Sequence, residues 1–324
     1  MIDFRYHLVS IVAIFLALAV GIVMGTTLLQ SPAIEVARRT SNEMIKANAD
    51  YRAQIDSLRG REDGNDAYIS GLTPQLVAGE LTGQHVVLIE APGSSTSYRE
   101  AGQQVLEQAG AMVTGRVLLT DKFVDVKQQG VIDGLATQLK PEGLPYPVEA
   151  GPYEKAATLL AATLVTRDEG QASTANPTTD GVLTGFEEGG FLSIEEDPSK
   201  RATLAVMFAP EKPYEGENAE AQAGALVSLA GGLDAGSKGV VMTGGATTAA
   251  APGGVISALR DNSEVAKQVS SVDTPDMPAG LVVIVEALRE QLAGRAGQYG
   301  IGPGATLFHP PSPSATPSPT PSGS

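Results

Sequence analysis

Three histidines, seven methionines and no cysteine set the outer limits of the chemistry open to this 324-residue chain. Without cysteine there can be no disulfide, no thiolate metal site and no thiol nucleophile. His7, His85 and His309 are widely separated, and only His85 falls in the expected folded body, beside the start of a strand. A hydrolytic triad would have to use it, yet the chain has neither a Gly-x-Ser-x-Gly elbow nor a His-Glu-x-x-His pair. Soft thioether clusters select cuprous ion. The methionines (Met1, Met24, Met44, Met112, Met207, Met242, Met277) form no Met-x-x-Met pair, so core filling explains them better. Glu187-Glu188 and Glu195-Glu196 lie in polar stretches that read as solvated faces. No catalytic, cofactor-binding or metal-ligating residue is assigned, and the chain does not read as an enzyme.

Two glycine-containing stretches invite a phosphate reading. Ala91-Pro92-Gly93-Ser94-Ser95 occupies a strand-to-helix turn whose N–H groups could hold an anion. It has one glycine where the dinucleotide fingerprint needs three, and Asp121 lies farther along than the ~20 residues usual for the ribose acid. A capped turn is the better reading. Gly231 to Lys238 has the composition of a phosphate loop, but its lysine follows the serine and the stretch leads into a strand. Gly244-Gly245 is an ordinary strand-to-helix connection.

The elements that must position any site begin with a membrane segment. From Leu8 to Leu29 the only polar side chains are Ser10, Thr26 and Thr27. Such a helix extends about 33 Å, enough to cross a bilayer core. Ala17-Leu18-Ala19 imitates a signal-peptidase site, but it lies inside the apolar run, so an uncleaved anchor is expected. Ala13, Ala17, Gly21 and Gly25 recur every four residues and form a small-residue ridge on which two helices could approach. Arg5 stands on one side of the span and Arg38, Arg39 and Lys46 on the other, which alone would not place the body outside.

Ser31-Pro32 reads as the start of a second helix, residues 31–59. Ile34, Ser41, Asn48 and Ile55 take a positions, with Ala37, Met44, Tyr51 and Leu58 at d, a seam for a short coiled coil and a homodimer. The alternative is a lone amphipathic helix lying on the body. Polar Ser41 and Asn48 weaken the seam, and tethering to one membrane would raise its effective concentration. Residues 60–80, with Gly60, Gly64, Gly71, Pro74 and Gly79, read as a linker.

Residues 81–308 alternate strands and helices. Strands are expected at Val86 to Ile89, Met112 to Leu119, Leu204 to Phe208 and Gly239 to Met242. Helices are expected at Tyr98 to Ala109, Val131 to Leu139, Tyr153 to Val165, Ala219 to Leu229, Gly254 to Asp261 and Pro278 to Ala293. Arg167 to Asp180 reads as a loop. This order predicts an α/β domain with a mostly parallel sheet covered by helices on both faces. Residues 309–324 are rich in Pro, Ser and Thr, cannot bury apolar area and suit a disordered extracytoplasmic tail. The net charge of −15 and pI near 4.6 oppose binding to nucleic acid.

The opening MIDFRYHLVSIVAIFLALAVGIVMGTTLL, the strand HVVLIEAPGSS, the segment AGAMVTGRVLLTDKF and the closing LAGRAGQYG together resemble the mycobacterial copper transport protein B (MctB) family of actinobacterial envelope proteins. The likeness runs from residue 1 to about 308 and is most specific at the N-terminus. It implies a cell-envelope protein of copper export and homeostasis with its N-terminus cytoplasmic (residues 1–7) and its body extracytoplasmic. A related branch, SteB-like, implies instead a scaffold that couples a cytoplasmic partner to cell-wall hydrolysis and cell separation. Copper enters by resemblance alone, since no ligand motif carries over.

Overall fold

The computed structural model describes residues 4–179, 181–196, 198 and 200–311, and for residues 27–34 and 37 the backbone alone. The chain divides into two units, residues 1–65 and 66–324. The helix α1, Phe4–Val77, contributes to both.

Within α1 the apolar segment is Phe4–Thr26, 23 residues, long enough to cross a membrane and starting earlier than the sequence suggests. Its large side chains point outward, Leu16 at 61% exposure and Phe15 at 66%, so it is not the core helix of a soluble domain. Residues 1–3 of the expected stub and 312–324 of the expected tail lie outside the described residues.

Two boundaries expected in this region are absent. No new helix begins at Ser31-Pro32, because the backbone stays helical through it. An internal proline costs roughly 3 kcal/mol, but its φ is helical, and nucleating a second helix is costly too. The expected linker 60–80 is also helical as far as Val77. Gly60, Gly64 and Gly71 each cost about 1 kcal/mol against alanine, too little to stop an established helix. The chain turns only at Gly79 and Gly83, both at φ +77°, a conformation that glycine adopts freely.

The strands and helices of the second unit follow in order: β1 His85–Glu90, α2 Thr96–Gln108, β2 Met112–Leu119, α3 Asp121–Val124, α4 Gln129–Gln138, α5 Pro152–Leu164, α6 Val182–Glu188, β3 Leu192–Glu195, β4 Leu204–Phe208, α7 Ala219–Gly236, β5 Val240–Thr243, α8 Ala246–Ala250, α9 Val255–Asp261, β6 Ser270–Val272, α10 Pro278–Leu292 and β7 Gln298–Tyr299. The seven strands form one sheet in the order β3-β2-β1-β4-β5-β6-β7, parallel throughout except for β3, which runs antiparallel to β2. The expected α/β architecture with a mostly parallel sheet is present. The expected loop Arg167 to Asp180 holds two short 3-10 turns, and Asp180 itself is outside the described residues.

Both faces are buried, which is why the central strands read as continuous apolar runs. Val87 and Ile89 point into a core with α4, α5, α7 and α9, while Val86 and Leu88 point into a second core with α2, α10 and the end of α1. Val77 and Leu81 are fully buried in that second core, and Arg289 of α10 pairs with Glu80 at 2.6 Å. Helix α7 runs beyond the expected end at Leu229 because Gly231 and Gly232 are packing residues there. A Cβ on Gly232 would lie 2.5 Å from the Ala157 Cβ of α5.

Candidate functional site

The connections leave β1 toward β2 on one side and β4 toward β5 on the other, so the carboxyl ends of β1 and β4 flank the switch point where open α/β sheets bind ligands. Ala91 to Ser95 sits there, and several of its backbone groups are already engaged. Ala91 N–H donates to the Phe208 carbonyl at 2.9 Å, Ser94 N–H to Ala91, and Glu211 N–H to Gly93. A bridge between Ser94 and Pro210 closes the gap. Ser95, at the N-cap of α2, shares a hydrogen bond with the Ser97 hydroxyl at 2.9 Å and does not cap the helix through its side chain. Glu90, at the end of β1, accepts from Arg116 Nη2 at 2.8 Å and faces Arg99 Nε at 3.6 Å. The Ala91 and Ser94 links hold the turn to β4, but the expected cap is absent, because the Ser95 hydroxyl is engaged by Ser97 instead of a backbone N–H of α2.

His85 lies at the amino end of β1, so about 16 Å of strand separates it from Ser94 and Ser95. No triad can form across that length. Glu187, Glu188, Glu195 and Glu196 are exposed, as expected of a solvated face. Gly231 to Gly236 is the end of α7 and Gly244-Gly245 joins β5 to α8, so neither opens a phosphate loop. Among the described residues, no group of three or more His, Cys, Asp or Glu side chains could hold a metal ion. The sheet brings together one pair that sequence spacing does not show: Met207 and Met242 are register partners on β4 and β5, both buried in the core.

Ala13, Ala17, Gly21 and Gly25 lie on α1, and a Cβ on either glycine would meet no atom within 4 Å. Of the seam residues, Met44, Tyr51 and Leu58 are 60–63% exposed and Ile55 46%, with Ser41 and Asn48 exposed beside them. The side chains of Ile34 and Ala37 lie outside the described residues. Continuing the heptad past Gly60 puts Glu62 and Asn65 at the next a and d positions, so the apolar seam ends through polarity and not through loss of helix.

Asp234, in the last turn of α7, is a buried titratable group. Burial raises its carboxyl from the ordinary value to about 6, against the opposing pull of Arg167 and a hydrogen bond from the Val240 backbone. A folded-state value above the unfolded one favours folding in acid, and that advantage is lost as pH rises from about 4 through 6, a swing of roughly 3 kcal/mol. Asp234→Asn keeps an acceptor for Val240. It is expected to raise unfolding stability at pH 8 by about 1–3 kcal/mol and to leave it unchanged at pH 4, measured by urea unfolding of the full chain in detergent. The same change at both pH values would refute this account.

A family model described as "Copper transport outer membrane protein, MctB" matches residues 1–310. The chain is 26% identical over 322 residues to "Copper transporter MctB" of Mycobacterium tuberculosis, covering 94% of this chain and 98% of the relative. It is 27% identical over 343 residues to the protein of the same name from Mycobacterium leprae, covering 96% and 100%.

Proposed function

Because the chain belongs to the MctB family, we propose that it is a single-pass, membrane-anchored envelope protein acting in copper export or homeostasis, with its body outside the cytoplasm. The observation that carries this reading is the end-to-end likeness to proteins named copper transporters. The fold constrains how it would work. The sheet is open and filled on both faces, so it encloses no lumen, and the one apolar helix of membrane length among the described residues cannot by itself surround an ion path. An oligomer or a second protein would therefore supply the path, and copper passes as cargo. A strain lacking this chain should lose copper tolerance and regain it with the wild-type sequence. Unchanged tolerance together with unchanged cell-associated copper would overturn the proposal. Because the chain has no cysteine, Val148→Cys, at a position 95% exposed, gives a clean report of topology, and labelling by an impermeant thiol reagent in intact cells is the expected result.

A second reading, a non-catalytic dimeric scaffold coupling a cytoplasmic partner to cell-wall machinery, is favoured by the row of exposed large seam residues on α1. Normal cell separation in the same deletion strain would count against it.

A further inference from the structure

The edge of the sheet opposite the switch point holds a cleft of about 650 Å³, at the amino ends of β5, β6 and β7. Its lining brings four cations from four separate segments: Arg167 after α5, Lys238 before β5, Lys267 before β6 and Arg295 after α10. The one carboxylate in the lining is Asp234. In a chain of net charge −15 this is a local reversal of sign. We propose that this cleft binds a small multivalent oxyanion, a phosphoryl or polycarboxylate compound.

The cleft is preorganised. The amide nitrogen of Gln291, buried in α10, lies 2.7 Å from the Gln268 carbonyl, 2.9 Å from Ser270 Oγ and 3.2 Å from the Val240 carbonyl, so its two N–H groups, one of them shared, tie the starts of β5 and β6 together. Arg167 is fixed by donating Nε to the Ala235 carbonyl and Nη2 to the Asp234 carbonyl, each at 3.0 Å. Those bonds satisfy the end of α7, and they account for Arg167 alone. Lys267 is exposed and has no ion pair or hydrogen bond among the described residues. Lys238 pairs with Glu169, whose side chain is 68% exposed, and a surface pair of this kind holds its lysine weakly. Arg295 is shared with buried Glu290 at 3.2 Å and presents the rest of its guanidinium outward, the side chain being 57% exposed.

Size and field select the ligand. A cleft whose lining carries four cations against one carboxylate attracts counter-ions within about a Debye length, ~8 Å at physiological salt, while the acidic remainder repels a long polyanion. A compact anion of two or three charges fits both conditions and the volume.

The test is isothermal titration of the full chain in neutral-lipid nanodiscs with pyrophosphate and, separately, citrate. Wild type should bind at least one of them with a submillimolar Kd that weakens with salt. The double variant Lys238→Gln/Lys267→Glu should bind at least 10-fold more weakly, and the control pair Lys140→Gln/Lys212→Gln should bind like wild type. Pyrophosphate binding alone identifies a phosphoryl ligand and citrate binding alone a polycarboxylate. Failure of both probes to bind the wild type, or equal affinity in the two double variants, overturns the proposal. Both lysines are partly or fully exposed, and an unchanged circular dichroism spectrum will show that the variant folds.

Discussion

Arg260→Leu should cost the folded chain roughly 3–5 kcal/mol, the range for removing one partner of a buried ion pair. Arg260 lies in the last turn of α9, and its side chain is only 4% exposed. It donates to Asp273 Oδ2 at 2.8 Å, Ser271 Oγ at 3.0 Å, the Pro303 carbonyl at 2.9 Å and the Tyr299 carbonyl at 2.9 Å. Asp273, fully buried after β6, also accepts from the N–H groups of Ile301 and Gly302 at 2.8 and 2.9 Å. Leucine would leave that carboxylate charged and without its cation. Against a total stability of about 5–15 kcal/mol, the loss is large. Adding Asp273→Asn to Arg260→Leu should recover part of it, because the stranded charge is gone while an acceptor remains. Urea unfolding of the full chain in detergent measures both. A loss below about 1 kcal/mol, or no recovery in the double variant, would show that the pair is incidental.

The second large effect is on association. If α1 pairs with a second copy through the heptad seam, Met44→Glu together with Ile55→Glu places like charges on a d and an a position in each strand. Each side chain contributes about 1.5–3 kcal/mol when buried, so the pairing constant should fall by at least ~1,000-fold. Sedimentation in detergent should show the mass halve. Since no native cysteine interferes, Asn48→Cys at an a position should cross-link on oxidation, whereas Lys46→Cys on the outer face should not. Equal cross-linking at both positions, or at neither, refutes the seam.

The central strands and most helices of the body were legible because their signals are local: apolar runs in β1 and β4, helical spacing in α5 and proline at the first turn of α10. What escaped has identifiable causes. Strand β6 begins Ser270-Ser271, a polar pair buried only because Gln291, Gln298 and Arg260 bond the two hydroxyls. Edge strand β3 is flanked by acidic pairs that disguise Leu192 and Ile194, and β7 has two residues, too few for any period. Short helices α3, α6 and α8 lack a full amphipathic cycle. Pro32 and the glycines of 60–80 mislead in the opposite direction, since a breaker acts on a marginal helix and α1 is not one. The basic cleft had no signal at all, because its four cations lie far apart in sequence and meet only when three strands are aligned.

The sheet ends on strands of four and two residues, β3 and β7, and Leu307 forms a bridge alongside Tyr299 at the β7 side. Confinement to a membrane raises the frequency of lateral collisions, and every collision tests whether an open sheet margin can recruit its neighbour. Margins this brief offer too few free backbone groups to hold another strand, with exposed Glu195 adding charge on β3. Crowded copies can therefore meet repeatedly on a two-dimensional surface without polymerising through their sheets.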